Sequence, residues 1–114
     1  MEAQQGPKFI ETSQLEWEEV GAGVRRSIAA YDDQLMVACV EFQKGAVGAL
    51  HRHPHRQITY VQAGSFEVTI SNEKKVLRKG DFYRIPPDEE HGVTALEAGV
   101  LVDTFAPARL DFLK

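Results

Sequence analysis

The chain holds a single cysteine, Cys39, among 114 residues. That excludes an internal disulfide and fits a reducing compartment. No run approaches the ~20 apolar residues that a membrane-spanning helix needs, and the opening MEAQQGPK lacks an apolar signal core. Excess positive charge is also missing: 13 Lys and Arg stand against 17 Asp and Glu, for a net charge of −4 and a pI near 5.5. Polyanion binding needs a basic surface, so no nucleic-acid partner is expected. A soluble cytoplasmic protein with no membrane partner is the expectation. Arg25-Arg26 and Lys74-Lys75 read as solvated faces, and Cys39, in the apolar run LMVACV, reads as a small core residue. Helical periodicity is absent too, apart from one turn around Ser13 to Glu19 where Trp17 is expected to pack.

Short β-type runs separated by turn clusters are present instead. Strands are expected at Val24 to Tyr31, Leu35 to Phe42, Ala46 to His53, Ile58 to Val61, Phe66 to Ile70, Lys75 to Arg78, Phe82 to Ile85, His91 to Leu96 and Val100 to Phe105. The nearly continuous apolar run at Leu35 to Phe42 predicts a strand buried on both faces. The spacing predicts an all-β sandwich or small barrel. The length suits one domain, residues 1–114, with 1–12 as an N-terminal extension.

Three histidines and a glutamine stand out. Residues two apart on an extended strand share a face, so His51 and His53 point the same way. Pro54 breaks the ladder and lets a turn bring Gln57 back to the same centre. His91 opens a later strand that a barrel can set beside the first pair. Such a shell suits a divalent transition metal, and Zn, Ni, Mn and Fe all tolerate mixed imidazole and oxygen donors. Open coordination positions would admit water or substrate. Because Gln57 donates a neutral oxygen, the full metal charge would remain to attract an anionic ligand. His55, in the turn after Pro54, has no settled role.

Gly45-x5-His51-x-His53-x3-Gln57-x6-Gly64, followed by Gly80-x5-Pro86-x4-His91, resembles the two motifs of the cupin family. That resemblance implies a single-domain jelly-roll β-barrel of two antiparallel sheets, with the core and both motifs at about residues 40–106 and the metal near one mouth. Two departures are visible. Gln57 stands where most cupins have glutamate, and Asp88 and Ala95 replace the glycine and asparagine of the second motif. HxHPHxQ, PPxxxHG and the closing LVDTFAPARLDFL are similar, within that family, to the KdgF-type cupins of pectin degradation, and the likeness covers nearly the whole chain beyond the first dozen residues.

The similarity implies a metal-dependent enzyme. Its substrate would be the cyclic 4,5-unsaturated uronate monosaccharide left by pectin or alginate lyases, and its product the linear 5-keto-4-deoxyuronate. The metal ligands would be His51, His53, Gln57 and His91, with Asp103 and Arg109 as the acidic and basic site residues. A homodimer is expected on the same ground, with the segment carrying Phe9, Ile10, Leu15 and Trp17 lying across the partner or closing its own barrel.

The residues add their own reading of these positions. Leu101, Asp103 and Phe105 share one strand face, so Asp103 is a catalytic carboxylate among apolar neighbours, one half of a structural ion pair with an arginine, or, if that face looks outward, a solvent-facing residue. Phe105 reads as an apolar wall for a sugar ring or as core. Arg109 and Arg84 are both candidates for the substrate carboxylate, since a guanidinium matches it in bidentate fashion; Arg84 would serve only if its strand turned it inward. Competing functions are an Fe(II) cupin dioxygenase and a non-catalytic sugar- or metal-binding module.

Overall fold

The structure, a computed structural model, describes residues 6–113; the first five residues of the expected N-terminal extension lie outside it. Ten strands follow in order: β1 (Glu18–Gly21), β2 (Val24–Tyr31), β3 (Met36–Phe42), β4 (Val47–His51), β5 (Arg56–Ala63), β6 (Ser65–Ile70), β7 (Glu73–Arg78), β8 (Phe82–Ile85), β9 (His91–Ala95) and β10 (Gly99–Ala106). They form a six-stranded sheet, β1-β2-β3-β10-β5-β8, facing a four-stranded sheet, β4-β9-β6-β7. Every pairing is antiparallel. This is the expected two-sheet jelly roll. Short 3₁₀ turns at Thr12–Gln14 and Leu110–Phe112 flank it.

Local chemistry sets the strand ends. Asp32 Oδ1 accepts from the backbone N–H groups of Gln34 and Leu35, at 2.8 and 2.9 Å, a side-chain turn that stops β2. Gly64, at φ 81°, carries β5 into β6, and a Cβ there would meet the Ala98 carbonyl at 2.5 Å; only glycine fits both the angle and the space.

Between the sheets, Val24, Val40, Phe42, Val61 and Leu101 of the large sheet pack on Phe66, Val68 and Ala95 of the small one. Phe42 and Phe66 meet edge to face at 5.2 Å, closing the barrel from both sides. Phe66 is fully buried, and truncating such a ring costs about 3–5 kcal/mol. Nearer the site, Met36, Ala38, Phe105 and Ala108 form a second cluster, covered by Phe112 and Leu113 from the C-terminal segment.

Several expectations change. The turn around Ser13 shrinks to Thr12–Gln14, and β1 follows it unforeseen because its run EEVG has little apolar signal. Trp17 is half-buried under the Arg25 guanidinium, 4.5 Å from its ring. β3 is not buried on both faces. Met36, Ala38, Val40 and Phe42 point in, whereas Val37, Cys39 and Glu41 are half-exposed on the outer face. Cys39 is therefore outside the barrel core. Arg25 is solvated and pairs with Glu41, but Arg26 turns inward with its side chain 17% exposed.

Candidate metal centre

β4 ends at His51, where the register sets it opposite His91 of β9. β9 is a central strand between β4 and β6, so His91 is buried, while His51 on the edge strand is exposed at the mouth. Gly92 permits this pairing: a Cβ there would meet the Gly48 carbonyl at 2.7 Å. His53 follows the strand end, and its carbonyl accepts from the Asp88 N–H at 2.8 Å, tying the first histidine segment to the loop that leads into His91. Gln57 is not on a turn, as its spacing after Pro54 suggests. It is the second residue of β5, in the large sheet, so the site bridges both sheets.

The three histidines each offer a ligand atom, and these atoms lie within 4.8 Å of one another. Each ring is held by a main-chain carbonyl. Nδ1–H donates to Ala49 from His51 at 2.8 Å, to His55 from His53 at 3.1 Å and to Glu89 from His91 at 2.8 Å. That assignment leaves every Nε2 as a lone pair, the arrangement metal-binding imidazoles use. His91 Nε2 is buried and has no hydrogen-bond partner among the described residues.

His53 is more telling. Its Nε2 lies 3.0 Å from Gln57 Oε1, so both ring nitrogens face an acceptor while a neutral ring carries one proton. A second ring proton is disfavoured: burial and then the Arg109 cation hold His53 below the usual histidine range. Burial, opposed by the Glu89 carbonyl and helped by the Arg109 cation, pushes His91 down to about 4. Lone pairs that converge without protons fit a bound cation, and this donor set fits a divalent transition metal.

Beside this centre lies a cavity of about 170 Å³, lined among others by His51, Gln57, His91, Tyr83, Asp103 and Arg109. Asp103 Oδ1 accepts from Thr59 Oγ1 at 2.7 Å and from Gln57 Nε2 at 3.3 Å. Its Oδ2 accepts no hydrogen bond among the described residues. Burial pushes Asp103 up to about 6, partly opposed by the hydrogen bonds from Thr59 and Gln57 and by the Arg109 charge. Arg109 has its Nε and Nη2 held by Asp111 at 3.0 and 2.8 Å, and it lies over the rings of Phe112 and Phe105, at 4.2 and 5.2 Å.

Phe105 is buried in the second cluster and meets the His53 ring edge-on at 5.8 Å, so only part of it faces the cavity. Arg84 does not join these residues. Ile85 is buried and Tyr83 lines the cavity, so alternation turns Arg84 outward, exposed. His55 lies 5.6 Å from the His53 ring, and its buried Nδ1 has no partner among the described residues; burial and Arg109 lower its pKa. Sequence reasoning missed Thr59, Tyr83, Arg26 and Phe112. Thr59 alone left a signal, a polar residue two places from Gln57 on the same strand face.

The profile of the cupin domain family matches residues 38–105, which span β3 to β10. The chain is 50% identical over 108 residues to the pectin degradation protein KdgF of Dickeya dadantii, covering 93% of this chain and 98% of that protein. A crystal structure of an RmlC-like cupin from Shewanella frigidimarina superposes with a TM-score of 0.94 at 40% identity, over 97% of this chain and all of the other. KdgF from a Halomonas species superposes at 0.90 with 41% identity, over 93% of this chain and all of its own.

Proposed function

As a member of the cupin domain family, this chain is one for which we propose metal-dependent conversion of cyclic 4,5-unsaturated uronate monosaccharides to linear 5-keto-4-deoxyuronate. The pectin-degradation role named for the Dickeya relative is carried over as part of this proposal. One observation supports it above others: three histidine ligand atoms converge with Gln57 Oε1, and His51, Gln57 and His91 of that set line one cavity with Asp103 and Arg109, a proton carrier and an anion-binding fork.

His51, His53, Gln57 and His91 would hold one divalent ion, Ni, Zn, Mn or Fe, which when bound supplies Lewis acidity toward substrate oxygens. Arg109 would take the uronate carboxylate. Asp111 occupies its Nε side, leaving the Nη1 edge for a bidentate pair. Phe105 would present an apolar edge to the sugar ring.

Asp103 would accept the anomeric hydroxyl proton at Oδ2. As C1=O forms, the bond from C1 to the ring oxygen breaks, and its electrons pass to that oxygen as an enolate across C4 and C5. Asp103 then returns the proton to C4, leaving a ketone at C5 and an aldehyde at C1. The step is an isomerisation, with no atom or electron gained or lost. A carboxyl pushed up to about 6 suits both halves of it, and such proton transfer contributes ~10²–10⁴-fold.

A homodimer belongs to the same proposal, supported by the exposure of Phe9 at 91% and of Ile58 and Phe82 on the outer face of the large sheet. The single-domain reading, residues 1–114, is carried with it.

The test is ultraviolet absorbance of a lyase-generated unsaturated uronate, mixed with metal-loaded or chelator-stripped protein. Accelerated loss of the conjugated double bond by the loaded protein alone supports the reaction. No acceleration with any of the four metals overturns it, and oxygen uptake with Fe(II) would then favour a dioxygenase.

A further inference from the structure

We infer that Thr59 is the positioning residue of this centre: its hydroxyl decides which end of the Gln57 amide faces the histidines and which oxygen of Asp103 faces the cavity. The inference rests on the metal-site reading above and deepens it.

Thr59 lies in the middle of a transverse row. The register sets it opposite Tyr83 of β8 on one side and Asp103 of β10 on the other. Gln57, two residues earlier on β5, shares its inward face. Thr59 has no solvent exposure, so its polar contacts must be satisfied internally.

A hydroxyl has one proton to give. The stronger acceptor takes it: Thr59 Oγ1 donates to the Asp103 carboxylate at 2.7 Å. What remains on Oγ1 is acceptor capacity, and Gln57 Nε2 donates into it at 2.9 Å. The same Nε2 reaches Asp103 Oδ1 at 3.3 Å. Tyr83 stands opposite Thr59 across the β5–β8 pair and closes the row.

The direction of the whole relay follows. A flipped amide would set Gln57 Oε1 against two oxygen atoms, one of them a carboxylate. It would also turn an N–H toward the lone pair of His53 Nε2 and remove the fourth donor of the site. Sequence alone cannot distinguish the two ends of this amide; here its neighbours do. Asp103 is held at Oδ1 by the same hydroxyl, which leaves Oδ2 for the cavity.

The experiment compares the full chain with Thr59→Val and Thr59→Ser. One measurement is the affinity of each metal-free protein for Ni²⁺ and Zn²⁺, by competition with a chromophoric chelator. The other is hydrogen exchange of the Gln57 side-chain amide in nitrogen-15 NMR spectra, without metal. Valine keeps the shape but neither donates nor accepts, so a roughly 10–100-fold loss of affinity is expected, with a fast-exchanging amide. Serine restores the hydroxyl, and affinity returns to within about threefold with a protected amide.

Folded Thr59→Val that binds either metal as tightly as the natural chain, or that keeps the amide protected, overturns the inference. Should valine prevent folding, Thr59→Cys, which keeps the volume with a far weaker donor and acceptor, is read by the same two measurements and the same criteria. If the natural chain binds neither metal, the metal-site reading falls. The amide measurement still decides the role of Thr59.

Discussion

The side-chain amide of Gln57 donates to the Asp103 carboxylate at 3.3 Å. A metal-ligand candidate and a proton-carrier candidate, 46 residues apart in sequence, are therefore bonded directly. The candidate metal ligands and the candidate proton carrier are one polar network with two ends.

That network should nonetheless separate under substitution. Asp103→Asn keeps an oxygen to accept from Thr59 and Gln57 but removes the titrating group. Turnover should fall ~10²–10⁴-fold, while metal affinity stays within a few-fold of the natural chain. Absorbance kinetics and chelator competition check the two halves. Full activity in this variant would remove Asp103 from the chemistry.

Removing a histidine should act in the opposite way. His91→Ala deletes a buried donor with an unpartnered Nε2, so metal should no longer protect the fold. In the natural chain, metal at 100 times its dissociation constant should add about 2.7 kcal/mol of stability. Thermal midpoints with metal and with chelator measure the difference, which should vanish in His91→Ala.

Arg109 should affect substrate binding more than chemistry. Arg109→Lys keeps the charge but loses the fork that Asp111 orients. A charge-assisted hydrogen bond is worth about 1.5–3 kcal/mol, so KM should rise about 10–100-fold with a smaller change in kcat. Arg84→Ala, on the outer face, should leave both constants within about twofold. Initial rates over a substrate range test the pair, and a KM defect in Arg84→Ala would reverse the assignment.

Acid stability of the metal-free protein offers a further check. Asp103 has its pKa raised to about 6, so its contribution is present at low pH and is lost as pH rises from the ordinary carboxylate range through 6. His91 is lowered to about 4, so its contribution is present above the ordinary histidine value and is lost as pH falls toward 4. The two oppose each other across that window. Asp103→Asn removes the first. Its stability should climb more steeply between pH 4 and 6 than that of the natural chain, as read by denaturant unfolding at several pH values.

Much of this site was legible in the sequence, because its elements are local. Alternation of period two places His51 with His53, and Leu101 with Asp103 and Phe105, on common faces. Glycine and proline mark where strands stop, and β2 and β8 fall where their flanking turns predict. The same alternation was no guide to phase. Nothing local says whether Tyr83 or Arg84 faces inward, or that Arg26 leaves the solvent for the cavity, since each strand is compatible with either orientation until it is paired.

The sequence by itself determined a candidate metal-ligand set, the succession of strands along the chain and an all-β class, since spacing and alternation are properties of a few consecutive residues. The tertiary structure alone decided that Thr59 stands between Tyr83 and Asp103, that Gln57 belongs to the opposite sheet from His51 and His91, and that Asp111 holds Arg109. The first two are cross-strand relationships fixed by register and sheet packing, and the third depends on how the C-terminal segment covers the barrel. Packing of the whole core selects among registers and orientations that each strand alone permits.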